Sequence, residues 1–127
     1  MPLVRIALRK GTTAEFRRAL SESVHRAMVE TIGIPEQDRF QVLTEHDEAG
    51  LIYDPGYLGI SRTDGVVFIQ ITLSAGRSVE VRKSLFARIA ARLREAPGVR
   101  PEDVFINLVE TQKENWSFGN GVAQYAT

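Results

Sequence analysis

A shift of 65 residues lays the chain onto itself without a gap. IALRKGTTAEFRRAL (6–20) falls on ITLSAGRSVEVRKSL (71–85), and GIPEQDRFQVLTE (33–45) falls on GVRPEDVFINLVE (98–110). Identical residues recur at Ile6/Ile71, Leu8/Leu73, Gly11/Gly76, Glu15/Glu80, Arg17/Arg82, Leu20/Leu85, Glu30/Glu95, Gly33/Gly98, Asp38/Asp103, Phe40/Phe105, Leu43/Leu108 and Glu45/Glu110. Whatever one copy builds, the other must build too. The copies span 2–46 and 67–111, and a C-terminal segment, 112–127, follows them.

Each copy reads strand, helix, strand. Val4, Ile6 and Leu8 alternate with Arg5, Ala7 and Arg9, and Ile69, Ile71 and Leu73 alternate with Gln70 and Thr72, the two-residue period of a strand with one apolar face. The period then changes. Phe16, Leu20, Val24 and Met28 in the first copy are answered by Val81, Leu85, Ile89 and Leu93 in the second, a four-residue spacing that predicts two amphipathic helices. Thr13 and Ser78 are matched N-cap candidates, Glu15 and Glu80 sit in the first turns, and Gly33 and Gly98 are expected to stop the helices. Strands over 39–45 and 104–110 complete the copies. Between the copies, LIYDPGYLGISRTDG (51–65) is rich in Gly, Pro and Asp and reads as turns around a short strand or hairpin.

A strand-helix-strand connection imposes parallel pairing within each unit. The expected fold is therefore α/β of the α+β kind, with two β-α-β units forming one mixed sheet and two helices on one face. At 127 residues the chain is expected to be a single domain, 1–127.

Composition narrows the partners. Sixteen Lys plus Arg balance sixteen Asp plus Glu, so no net field draws the chain to nucleic acid or to an anionic membrane. With no Cys and only two His, neither a disulfide framework nor a zinc site is expected, and a reducing cytoplasm suits the chain. The longest apolar run, 66–69, is far short of a membrane span, and an N-terminus with Pro2, Arg5 and Arg9 does not read as a signal peptide. His25 interrupts the first helix beside Val24 and His46 ends a strand; both read as structural or solvated. No Gly-rich phosphate loop is present beyond the turn-like FGNG.

Positions alike in both copies are explained by the fold, and positions that differ need another reason. Asp38 pairs with Asp103, so a turn or capping role is open to both. Pro2 falls opposite Val67, and Arg77 opposite Thr12. Arg77 precedes the Ser78 cap, where unpaired N–H groups and the helix dipole favour an anion, so a guanidinium there makes a carboxylate site or is a solvated turn residue. Pro2 follows the initiator Met. If Met1 is removed, Pro2 presents a secondary amine on a rigid ring; otherwise its nitrogen is an amide, neither acid nor base.

The repeated units, the amino-terminal proline and the Arg before the second helix together resemble the tautomerase superfamily. More narrowly, IPEQDRFQVLTEHD (34–47), SAGRS (74–78) and ENWSFGNGVAQY (114–125) are similar to the malonate semialdehyde decarboxylase group. The resemblance implies a cofactor-independent homotrimer acting on a small carboxylate, with an active site near each subunit boundary. It implies Pro2 as the catalytic proline, Asp38 as the essential aspartate, Arg77 as the carboxylate grip, and Trp116 and Phe118 as aromatic walls. One position departs from the pattern of two arginines separated by one residue, for the first of them is Ala75 here. The implied reaction is decarboxylation of a 3-oxo acid, with hydratase or tautomerase side activity. The alternatives are an enol-keto tautomerase using Pro2 as base and a binding trimer without chemistry.

Overall fold

The computed structural model describes residues 2–126. Met1, whose removal the Pro2 chemistry requires, lies outside the described residues, as does Thr127.

Both copies fold as the repeat demands. The elements are β1 (Leu3–Arg9), α1 (Ala14–Ile32), β2 (Gln41–His46), β3 (Val67–Ser74), α2 (Val79–Glu95) and β4 (Val104–Thr111). They form one four-stranded sheet in the order β2-β1-β3-β4. β1 pairs parallel with β2 and β3 parallel with β4, while the central β1 and β3 run antiparallel, so the sheet is mixed.

The predicted strand faces are the observed ones. Val4, Ile6 and Leu8 of β1 and Val67, Ile69, Ile71 and Leu73 of β3 are buried against Leu20, Val24, Ala27 and Met28 of α1 and Leu85, Ile89 and Leu93 of α2. Each of these side chains larger than that of Ala27 contributes roughly 1.5–3 kcal/mol by leaving water, which is why the two helices share one face of the sheet. The internal symmetry reaches individual bonds. Thr13 Oγ1 accepts from Phe16 N at 3.0 Å and Ser78 Oγ from Val81 N at 3.2 Å. Arg17 meets Glu45 at 3.2 Å, and Arg82 meets Glu110 at 3.3 Å.

Two expectations are corrected. Gly33 caps α1 in the left-handed region at φ 67°, but α2 ends earlier, at Ala96, and Gly98 lies beyond Pro97. Pro97 has no N–H, and the amides of Gly98 and Val99 both donate back to Leu93 O, at 2.9 and 2.8 Å, closing the helix by another route. The connection 51–65 contains turns and a 3-10 segment, Tyr57–Gly59, with no strand or hairpin. It is tied down from outside itself, because the buried Asp103 carboxylate accepts from Thr63 N at 2.7 Å and Thr63 Oγ1 at 2.6 Å.

Among the described residues no α-helix covers the outer face of the sheet. Phe68, Phe105, Val42 and Val109 lie there around the polar pair Gln70 and Asn107, and Ile52, Tyr57 and Leu58 of the connection are strongly exposed. Among the described residues no helix is long and apolar enough to cross a membrane.

Candidate functional site

β1 enters the sheet where β3 leaves it. Leu3 stands opposite Thr72 of β3, and Val4 opposite Gln41 of β2. Val4 N donates to Phe40 O at 3.0 Å. Pro2, buried one residue before β1, is therefore held between the end of β3 and the approach to β2. Asp38 lies in that approach, half-buried, in a turn closed by its own N–H donating to Pro35 O at 3.1 Å.

The end of β3 supplies the cation. After Ser74 the chain turns through Ala75 and Gly76 to Arg77 and enters α2, with Gly76 at φ 124°, where a side chain would be strained. Arg77 is half-buried and its Nη1 donates to Ser74 O at 3.0 Å. That uses one of five guanidinium donors and fixes the root of the fork beside the N-terminus of α2.

The end of β4 supplies the wall. Ser74 and Thr111 are register partners, so β4 finishes level with β3, and Ala75 N donates to Thr111 O at 2.9 Å. The chain then folds back. Trp116 Nε1 donates to Thr111 Oγ1 at 2.8 Å, and the indole stacks on Phe118 with centroids 5.6 Å apart and planes 6° from parallel. Phe118 also meets Tyr125 edge-on at 5.0 Å and Phe40 at 6.2 Å. The FGNG stretch is the turn that allows this, with Asn120 and Gly121 at φ 61° and 67°. Gln124 clasps it, its Oε1 accepting from Phe118 N at 2.9 Å and its Nε2 donating to Gly119 O at 3.0 Å.

The structure thus brings Pro2, Asp38, Arg77, Trp116 and Phe118 to one end of one sheet. The same sheet end thus carries a proline, a guanidinium, a carboxyl and a stacked aromatic pair. Phe40, Tyr125 and Thr111 belong to the same cluster and were not singled out from the sequence. Phe40 was hidden by the repeat, because its identity with Phe105 reads as a fold requirement. Yet, of these two equally half-exposed rings, Phe105 packs on Phe68 at 5.1 Å, while Phe40 turns to Phe118.

Other candidates lie elsewhere. His25 is buried in α1 with its Nε2 2.8 Å from Glu36 O, and His46 meets Thr44 Oγ1 at 2.9 Å, in keeping with structural roles. A groove of about 580 Å³ runs between α1 and β2, lined by Arg17, Arg18, Arg39 and Glu22 among others. Arg17 and Arg39 there are already paired, with Glu45 and Glu22. Among the described residues no group of three or more His, Cys, Asp or Glu could hold a metal ion.

Known proteins match this chain along nearly its whole length. Two family models, both described as tautomerase enzymes, match residues 38–119 and 2–59. The probable tautomerase YusQ of Bacillus subtilis (strain 168) is 45% identical over 124 residues, covering 98% of this chain and 98% of that protein. Among solved structures, FG41 malonate semialdehyde decarboxylase inhibited by 3-bromopropiolate superposes with a TM-score of 0.92 at 43% identity, over 97% of this chain and 93% of the other. A fused 4-OT protein described as a symmetric trimer superposes with a TM-score of 0.79 at 26% identity, over 98% of each chain. With family models spanning most of its length and a relative this similar along nearly all of it, the chain belongs to the tautomerase superfamily, where it stands with the malonate semialdehyde decarboxylase group.

Proposed function

We propose that the chain, once Met1 is removed, is a decarboxylase that converts malonate semialdehyde to acetaldehyde and carbon dioxide. The observation that carries this reading is the meeting of Pro2, the Arg77 turn and the stacked Trp116 and Phe118 at one sheet end. The 43% identity to a malonate semialdehyde decarboxylase supports it.

Loss of carbon dioxide from a 3-oxo acid needs a place for the electrons of the breaking C–C bond. Pro2 provides it in one of two ways: as the cation, by donating a hydrogen bond to the aldehyde oxygen, or as the neutral amine, by adding to the aldehyde and, with uptake of one proton and loss of water, giving a cationic iminium. Arg77 binds the carboxylate and turns the breaking bond out of the carbonyl plane. The resulting enol, or the enamine of the second route, takes a proton at the carbon that lost carbon dioxide; water then releases acetaldehyde from the iminium. Trp116 and Phe118 present an apolar wall that disfavours the carboxylate more than neutral carbon dioxide. Asp38, in the turn beside the Pro2 strand end, favours the protonated amine.

The working unit is a homotrimer in this reading. The uncovered outer face, with Phe105, Val42 and Val109 exposed, and the two edge strands β2 and β4 are surfaces that a single chain leaves open. A structural neighbour is a symmetric trimer.

The second reading is enol-keto tautomerisation with a neutral Pro2 as base, favoured by the name of the B. subtilis relative. Proton NMR of both reactions against pH, on protein whose mass confirms loss of Met1, separates the two. Acetaldehyde formation is expected. Dominant tautomerisation would establish the second reading, and the absence of both reactions would leave a binding trimer.

A further inference from the structure

Thr111 is bonded to both halves of the site. Its backbone oxygen accepts from Ala75 N at 2.9 Å, in the turn that carries Arg77. Its hydroxyl accepts from Trp116 Nε1 at 2.8 Å and donates to Leu73 O at 3.2 Å. A hydroxyl has one proton to give, so the bond to Leu73 O aims its lone pairs, and the indole N–H meets one of them. The repeat supplies the control. His46 occupies the equivalent place at the end of β2, where its ring meets Thr44 Oγ1. The fold therefore does not require threonine at this position.

We infer that Thr111 is a positioning residue that fixes the aromatic wall relative to the Arg77 turn, an inference that rests on the carboxylate reading of the site. The indole has two ways to be held, its stack on Phe118 and its N–H. The stack tolerates sliding and rotation in the plane, whereas a hydrogen bond at the ring edge does not. Thr111 therefore sets where the wall stands over a carboxylate held by Arg77. An indole released from it would let water reach the reacting bond.

Thr111→Val removes both side-chain hydrogen bonds at almost constant volume and leaves the backbone bond to Ala75. Trp116 is the single tryptophan, so its emission reports the wall without any substrate. The variant is expected to show red-shifted emission, several-fold stronger quenching by acrylamide, and kcat/KM for malonate semialdehyde lowered about tenfold, the effect of one lost hydrogen bond at a reacting site. Thr111→Ser keeps the hydroxyl and should restore all three. Wild-type emission and quenching in Thr111→Val, or a Thr111→Ser variant that behaves like it, would overturn the inference. If Thr111→Val does not fold, the wild-type protein still decides: the Trp116 indole N–H should exchange slowly with solvent by NMR, and free exchange removes the anchor. An inactive wild-type protein would instead sink the decarboxylase reading, while emission and quenching still judge the anchor.

Discussion

The ring of Phe118, beyond the last strand, lies 6.2 Å from Phe40, which leads into β2. β2 and β4 are opposite edges of the sheet, so this contact carries the C-terminal segment across the ends of β1 and β3, the two strands that bring Pro2 and Arg77. The aromatic cluster is a roof over the sheet end. Replacing Phe40 by Ala removes one of its supports at a half-exposed position, where little core is lost. It is expected to lower kcat/KM several-fold while the melting temperature, followed by circular dichroism, changes little. A large loss of stability with unaltered kinetics would make Phe40 a core residue instead.

Arg77 is expected to act through its charge. Charge-assisted hydrogen bonds are worth about 1.5–3 kcal/mol, so Arg77→Ala should raise KM for a carboxylate substrate roughly ten- to a hundredfold. Arg77→Lys, a point charge without the fork, should recover part of it. Steady-state kinetics check this. Unchanged turnover in Arg77→Ala would leave Arg77 as a turn residue bonded to Ser74.

Pro2 should betray its protonation state. Decarboxylation by a cationic amine falls as the pH rises through the pKa of that amine, whereas a tautomerase using the neutral amine gains activity over the same rise. Pro2→Ala keeps an amine but makes it primary and less constrained, so reduced rather than abolished activity is expected. pH-rate profiles of the wild type and the variant give both answers.

Asp38 and Asp103 are repeat partners with separate fates. Asp103 is buried and holds the connection through Thr63, so Asp103→Ala strands the Thr63 amide and hydroxyl and should cost about 1–3 kcal/mol of stability. Asp38→Asn should instead depress activity with little effect on unfolding. Urea denaturation beside kinetics on the two variants distinguishes strut from site. Equal losses of stability in both would make Asp38 a structural residue like its twin.

The two helices are clasped by Glu30 of α1, which accepts from Arg92 and Arg88 of α2. Hydrogen bonds from Arg92 first, and then Arg88, hold its carboxyl at about 2, below the ordinary 4.5. The folded state thus keeps the charge where the unfolded chain has already taken up a proton. The clasp stabilises fully above pH 4.5, and its contribution is lost as the pH falls toward 2. Thermal melts should show Glu30→Gln less stable than the wild type at pH 7, with the gap narrowing across that interval. A gap independent of pH would mean that the ion pairs contribute nothing.

The elements were legible in the sequence because each is a local decision made twice. Alternation at Val4, Ile6 and Leu8, four-residue spacing from Leu20 to Met28, and hydroxyl caps at Thr13 and Ser78 are preferences of short stretches, and the second copy confirmed each of them. The strand-helix-strand order then left little choice of pairing. What the repeat could not separate was the fate of identical residues: Asp38 at the sheet end and Asp103 as a strut, Phe40 under the roof and Phe105 against Phe68. Their partners decide, and those of Asp103 and Phe40 come from segments that are not duplicated, Thr63 from the connection and Phe118 from the C-terminal segment. These contacts join residues far apart in the chain and depend on where the finished sheet places its ends. The same holds for Thr111, whose neighbours in sequence give no hint of Leu73 or of the Arg77 turn. Local periodicity determined the scaffold, and only the closed sheet, bringing β1, β3 and β4 to a common end, decided which side chains meet there.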